Sequence, residues 1–546
     1  MRKFCFAVLL IAPFTIAGGQ NLDQRVEVTN TYVSAAGVLM KEAQPVCVPD
    51  SVSRFDYRFD YTSFETPYKG AYEFRPYLVK LQPLPSAARA GRFYLRADAG
   101  YTLHPSLHAL WTPVDSSRYS VNVYNDFDGY YGKWRRLDRY MVPDGSSRTG
   151  YVFSESVGAS TVVRFDKMDF SAKAGYDGIF ADSSSPGFHS AAAVLSLKGH
   201  EDLLLPWSAT LDYRYGCDVM DGGADLHVNS IKASGGFSAQ FKRRYFIFVD
   251  MLADMECYAG KEGDWRARFA VTPYGMIYYG NWDFRLGFSL GYAFDHVNEP
   301  GKYRTFPIFP SCEVVYNIPS ASMRLFAGAD GGYDSQRYID FKRWDPHYGS
   351  EWGLPECTVR TIDAYGGFQG FVGKHFSYSL RGGYARYDHR PFASAADWYA
   401  SSLPHIVYSK AAEGYLTLKL NWDSERLDID GCLDFRKLAE EEKMIAGALA
   451  PPMFSGSLSA VYNYRKRIYA GIWFQGETSR SAILDDYTDI RIPGWADLGL
   501  MLEYRLTPAW GLRFQAGNLL GQDLRKYSPY YVENGRSFTL GLTLNL

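Results

Sequence analysis

The feature that most constrains this chain is a two-residue period that lasts too long for an ordinary globular strand. In "NWDFRLGFSLGYAFDH" (Asn281–His296), Trp282, Phe284, Leu286, Phe288, Leu290, Tyr292 and Phe294 fall on one side. Asp283, Arg285, Gly287, Ser289, Gly291, Ala293 and Asp295 fall on the other. Alternate residues of a strand face opposite sides, and globular strands average only about five or six residues. The same alternation runs through Arg92–Leu103, Gly414–Trp422 and Leu498–Leu506. Its polar side carries full charges, among them Asp283, Arg285, Lys419, Glu503, Arg505 and Arg513. A soluble sandwich of this many long strands would be oversized for one domain.

Lipid removes that limit, because it covers the apolar side while the polar side lines a lumen. Backbone in lipid must be fully hydrogen-bonded, so such a sheet has to close. The spacing of breaks agrees. Tight turns fall around Lys167, Lys242–Arg244, Gly280–Asn281, Ile318–Ser322, Gly373–Lys374, Asp423–Arg426, Arg465–Arg467 and Thr507–Pro508. Longer loops alternate with them at Gly129–Ser147, Ser335–Thr358, His389–Pro404, Leu438–Pro451, Ser479–Asp489 and Leu520–Asn534. The pattern predicts an all-β fold, a transmembrane antiparallel β-barrel of about 22 strands with short periplasmic turns and long extracellular loops. "NGRSFTLGLTLNL" (Asn534–Leu546) is then the strand that closes the cylinder, through Arg536, Phe538, Leu540, Leu542, Leu544 and Leu546. A terminus that stops on so regular an alternation must be pinned to something.

The rest of the chain divides around that barrel. Arg2 and Lys3 precede an apolar stretch, Phe4–Ala17, and small residues at Ala17-Gly18-Gly19. That is the form of an export signal, 1–19, with Gln20 as the mature start. Residues 20–91 are rich in proline and mixed in charge, which predicts an irregular segment on the periplasmic side or inside the lumen. Residues 92–546 form the barrel. The expected location is the bacterial outer membrane, with its lipids, lipopolysaccharide and barrel assembly machinery as partners. A net charge of −2 gives no basic field for nucleic acid. Aromatics reach 16%, with 43 tyrosines, as suits rings set at membrane interfaces. The six mature cysteines, Cys47, Cys217, Cys257, Cys312, Cys357 and Cys432, are scattered without a CxxC pair. No metal or cofactor is expected, and disulfide connectivity is left open.

Several motifs invite chemistry. "GFSLG" (Gly287–Gly291) has the spacing of a nucleophile elbow, but Ser289 lies mid-strand, where the strand-turn-helix context is missing. "YNDFDGYYG" (Tyr124–Gly132) offers Asp126, Asp128 and Gly129 to a calcium ion, yet Tyr124 and Arg135 occupy the first and closing ligand positions. Tyr130, Tyr131, Trp344, Tyr348 and Trp352 fall in expected outer loops as candidate ligand contacts, their faces suited to a sugar or peptide. Loop packing or an interfacial girdle would use the same rings. "KLAEEEKMIAGALA" (Lys437–Ala450) predicts a short loop helix stopped by Pro451-Pro452. No catalytic triad or carboxylate pair emerges, so the expectation is a protein that is not an enzyme.

"GLRFQAGNLLGQDLRKYSPYYVENGRSFTLGLTLNL" (Gly511–Leu546) resembles the last hairpin of TonB-dependent receptors. The likeness lies in a strand leading to Asn518-Leu519-Leu520, a tyrosine-rich loop, and Gly535-Arg536-x-Phe538 opening the final strand. The resemblance implies a large barrel with a filled lumen that passes a nutrient. The layout also looks like receptor-like barrels of Bacteroidota, which often carry a short N-terminal stretch in place of a full plug. "RVEVTNTYV" (Arg25–Val33) is similar to an energy-coupling box. Gln20–Gly91 is shorter than the family's plug of well over a hundred residues, which puts energy-driven uptake in doubt. The alternative is a non-transporting scaffold subunit in an outer-membrane complex with surface lipoproteins or other subunits.

Overall fold

The first and last strands are neighbours. Ser537–Asn545 runs antiparallel to Phe93–Tyr101, with Tyr94 opposite Asn545 and Tyr101 opposite Phe538. Its other edge pairs with Trp510–Gly517, while Phe93–Tyr101 pairs with Ser106–Asp115. The sheet therefore has no free edge. Of its 24 strands, 22 cross the barrel wall; the other two, Lys302–Arg304 and Tyr531–Glu533, are short additions near the loop side. Every pairing is antiparallel.

This computed structural model describes residues 92–546 apart from 139, 182–184, 201–204, 221–222, 242–243, 261–263, 298–301, 305–307, 320–321, 351–352, 394–405, 440–447, 484–488, 528–529 and 534. The expected signal at 1–19, the segment 20–91 with its Arg25–Val33 box, Cys47, Trp352 and most of the helix expected within Lys437–Ala450 lie outside the described residues.

The alternation sorts side chains as lipid and lumen require. In the closing strand, Phe538, Leu540 and Leu542 are exposed outward, with Leu540 at 71%, while Thr539 and Thr543 are buried inward. Leu544 is half-buried and Arg536 is exposed just before the strand. At the end of the seam, Leu546 N–H donates to Phe93 O at 2.8 Å and Phe93 N–H returns the bond to Leu546 O at 3.0 Å. Tyr245, Tyr279, Trp282, Trp422, Tyr464 and Trp510 stand outward near the short turns, and Tyr101, Phe269, Tyr292, Tyr384 and Phe538 stand outward toward the loop side. Trp282 and Tyr292 are ten residues apart on one strand. That is about 33 Å of strand, or about 25 Å of height at a tilt of about 40°, the height of a hydrocarbon band.

The short turns are built for tight reversal. Arg465 and Lys466 both have positive φ, 53° and 58°, which fits a hairpin turn whose twist matches its strands. Asn463 Oδ1 holds the turn by accepting from Lys466 N–H at 2.8 Å.

One expected loop is largely strand. Gly129–Ser147 is taken up by two tall strands, Tyr119–Leu137 and Pro143–Arg164, with only a tight connection between them. Tyr531–Glu533 pairs with the upper part of the first of these, Trp134–Arg136. The cause is a core on the loop side: Tyr130, Trp134, Leu137 and Val152 pack with Leu449, Ile492, Tyr531 and Val532. These partners come from segments about three hundred residues or more downstream, so local sequence alone predicts a loop here.

Candidate functional site

The loop from Gln336 to Glu356 leaves the barrel rim and folds inward against the wall. It begins with helix α1, Tyr338–Trp344. Arg337 N–H donates to the Asp340 carboxylate at 2.9 Å, satisfying an otherwise orphaned donor at the helix start. Asp340 in the first turn and Lys342 and Arg343 in the last suit the helix dipole. Beyond α1 the chain turns extended at Asp345, and Pro346 prevents continuation.

One side of this strap is a hydrophobic and ionic plate against the wall. Tyr338, Ile339, Phe341 and Tyr348 pack with Ile179, Phe188, Leu226, Val228 and Tyr258 of the lumen side. Lys342 has no exposure; its Nζ lies 3.3 Å from Asp218 Oδ1 and donates to Pro186 O at 2.8 Å. The Tyr338 hydroxyl donates to the same Asp218. Tyr338 N–H donates to Glu256 Oε1 at 3.2 Å, and Glu256 also pairs with Arg266, whose guanidinium holds Gln336 O at 2.5 Å. Arg337 reaches Asp212 at 2.8 Å and Arg343 reaches Asp177 at 3.1 Å. Asp212 lies eight positions from Met220, the loop-side end of its strand. That is about 26 Å of strand, so the strap descends well into the barrel. Burial raises the Tyr338 and Tyr348 hydroxyls well above the usual phenol range, and Asp218 adds to the push on Tyr338. Both stay protonated and act as donors.

Away from the strap, the lumen wall is paved. Gly328, Tyr365, Gly383 and Tyr415 sit side by side on adjacent strands. A Cβ at Gly328 or Gly383 would lie 2.8 or 2.7 Å from a tyrosine ring or hydroxyl, so the glycines let the rings lie along the wall. The Arg381 guanidinium stacks over Tyr365 at 3.9 Å and donates to Asp363 at 3.1 Å; the Tyr415 hydroxyl donates to Asp363 at 2.7 Å. The wall thus presents paired charges and polar ring edges to water.

Above the seam, the last loop docks on the rim. Glu533 lies 3.4 Å from His104 Nε2 and 3.0 Å from Lys526 Nζ. Burial pushes the Glu533 carboxyl up, yet Lys526 and His104 outweigh it and hold it at about 2.

The candidate ligand contacts separate. Tyr348 and Tyr130 are core residues, at 1% and 4% exposure, which leaves no face for a ligand. Trp344 and Tyr131 are open, at 45% and 46%. The contacts from the two regions do not meet, since Tyr130 belongs to the rim core and Tyr348 to the strap core. Asp126 and Asp128 are not loop ligands; they lie in a strand and flank His108 at 3.0 and 3.5 Å. Ser289 is buried mid-strand, where its Oγ accepts from Thr272 at 2.9 Å. Among the described residues, no three His, Cys, Asp or Glu side chains are grouped to hold a metal, and the five cysteines are unpaired. Lys342, Asp218, Glu256 and Arg266 were not singled out by motif. Their signal was a charge at an inward position of an alternating strand, and a seven-residue amphipathic run, Tyr338–Trp344.

No protein-family profile and no curated protein matches the sequence. Solved structures do. A mutant form of the ferric enterobactin receptor from Pseudomonas aeruginosa aligns with a TM-score of 0.58 at 12% identity, over 84% of this chain and 80% of that one. The FrpB iron transporter from Neisseria meningitidis gives 0.60 at 9%, over 83% and 82%. The siderophore receptor PirA from Acinetobacter baumannii gives 0.59 at 9%, over 83% and 80%. At these identities the likeness is one of fold. The chain is a closed 22-stranded antiparallel β-barrel of the architecture those receptors share.

Proposed function

We propose that this chain is an outer-membrane barrel, similar to TonB-dependent receptors, that provides or gates passage of a nutrient and catalyses no reaction. The observation that carries the reading is the interior: a polar, ion-paired wall with one outer loop folded into it. A barrel that served only as an anchor has no use for an internal strap. The fold likeness to receptors and an iron transporter supports the same reading, as does the terminal hairpin. We further assign 1–19 to an export signal and 20–91 to a periplasmic or lumenal segment, on the sequence pattern alone. The Bacteroidota type, with a short N-terminal stretch, rests on that resemblance too. Outer-membrane lipid, lipopolysaccharide and the assembly machinery follow as partners.

Heat unfolding of the purified protein against a panel of ferric siderophores, corrinoids and oligosaccharides tests the reading. A ligand at a hundred times its Kd stabilises the folded state by about 2.7 kcal/mol, a readable rise in Tm. A barrel that answers to none of them and co-purifies with other proteins at fixed stoichiometry is the scaffold subunit instead.

A further inference from the structure

Two segments cover the rim, and they are attached in different ways. Tyr531–Glu533 joins the wall as a strand, through backbone pairing with Trp134–Arg136. Among its described residues the strap has no strand pairing. It meets the wall mainly through side chains, and its centre is one buried ion pair, Lys342 with Asp218, at 0% and 2% side-chain exposure. A backbone ladder holds its segment by main-chain bonds in a fixed register. A plate of side chains can part without breaking any ladder of the wall.

The two faces of α1 differ to match. Tyr338, Ile339, Phe341 and Lys342 are buried against the wall, while Asp340, Arg343 and Trp344 are exposed. The returning leg passes through Gly353, whose φ of +97° only glycine adopts without strain. We propose that residues 336–350 are a hinged gate over the outer part of the lumen, latched shut by Lys342 on Asp218 and opened by withdrawal of α1 from the wall. The gate stands on this geometry and does not depend on which solute passes.

The latch has a distinctive energetic signature. Removing one partner of a buried ion pair leaves the other charge uncompensated, which is strongly destabilising. Lys342→Met therefore removes the Lys342 charge beside Asp218, which stays buried against Tyr338, and drives the strap off the wall. Leu226 reports the event. It is fully buried in the strap core and lies directly opposite Asp218 in the wall.

The test uses the full chain in outer membranes, with Leu226→Cys as probe and a membrane-impermeant maleimide as reagent. Peptide mass spectrometry separates labelling at position 226 from that of the native cysteines. Labelling is expected to be slow with the latch intact and at least about tenfold faster with Lys342→Met, with heat-modifiable migration unchanged. Should Lys342→Met fail to fold, Arg337→Gln, which breaks the Asp212 contact at the strap's edge, is the second variant and is expected to accelerate labelling less. Fast labelling with the latch intact overturns the gate, because the strap then does not cover the wall. Slow labelling in folded latch variants overturns it as well, because the ion pair then holds nothing.

Discussion

The seam between Phe93–Tyr101 and Ser537–Asn545 and the strap over Asp218 both close this molecule, but with different materials. At the seam, eight residue pairs are in register, the outward side chains face lipid, and on the lumen side Arg513 reaches Asp98 across the last strand at 3.4 Å. At the strap, the backbone contributes little and named side chains do the holding: Lys342, Tyr338, Phe341, Arg337 and Arg343. The seam should therefore tolerate exchange among its apolar lipid-facing side chains and fail on loss of backbone hydrogen bonds. The strap should do the reverse.

Leu542→Pro strikes the seam where it is weakest. Leu542 has a ladder partner on each side, Ala97 and Leu512. Proline removes a ladder hydrogen bond and leaves a backbone carbonyl unsatisfied in lipid, which costs several kcal/mol. The expected result is loss of the heat-modifiable folded band. Phe341→Ala strikes the strap. Truncating a buried phenylalanine costs about 3–5 kcal/mol, spent here on the strap core and not on the wall. Trypsin should then cut after Lys342 or Arg343 while the barrel keeps its migration. Leu542→Arg places a charge on the lipid face and should cost about 2–4 kcal/mol in refolding into bilayers. Its lumenal neighbour Thr543, whose hydroxyl donates to Glu503 at 3.3 Å, should lose only about 1 kcal/mol on Thr543→Ala.

An effect confined to low pH is expected at the rim. Glu533 has a depressed pKa, so its contribution to docking of the last loop is full above the unfolded carboxylate value of about 4.3. It is lost as pH falls from there through about 2. Pepsin should cut Leu520–Asn534 readily near pH 2 and slowly near pH 4, and Glu533→Gln should abolish that difference. Ser289→Ala is of the same size as Thr543→Ala. It removes one hydrogen bond with Thr272, about 1 kcal/mol, and should leave any hydrolase activity of a preparation unchanged.

The same contrast explains what the sequence discloses. Lipid-facing alternation is a local property, so Trp282 through Phe294 announce a barrel strand on their own, and the turns at Gly280–Asn281 and Gly373–Lys374 are legible from two residues each. The closing role of Phe538, Leu540 and Leu542 follows from the same period. The strap is different. Lys342 acquires meaning only beside Asp218, 124 positions earlier, and no local pattern sets that distance. Tyr348 reads as a loop aromatic until Tyr338 and Tyr258 enclose it. Trp134 reads as a loop residue until Val532 packs on it. Residues whose partner is lipid can be read singly; residues whose partner is another side chain need the fold.

Single-channel conductance in planar bilayers is the most direct test of a passage closed from the outside. The pair to compare is the intact chain and a variant in which residues 336–356 are replaced by a tight Asn-Gly turn, both shown to be folded by heat-modifiable migration. The account predicts near-silence from the intact chain and steady current steps from the variant. Equal currents from both would show that the strap seals nothing, and silence from both would show that no open passage lies behind it; either result contradicts the account.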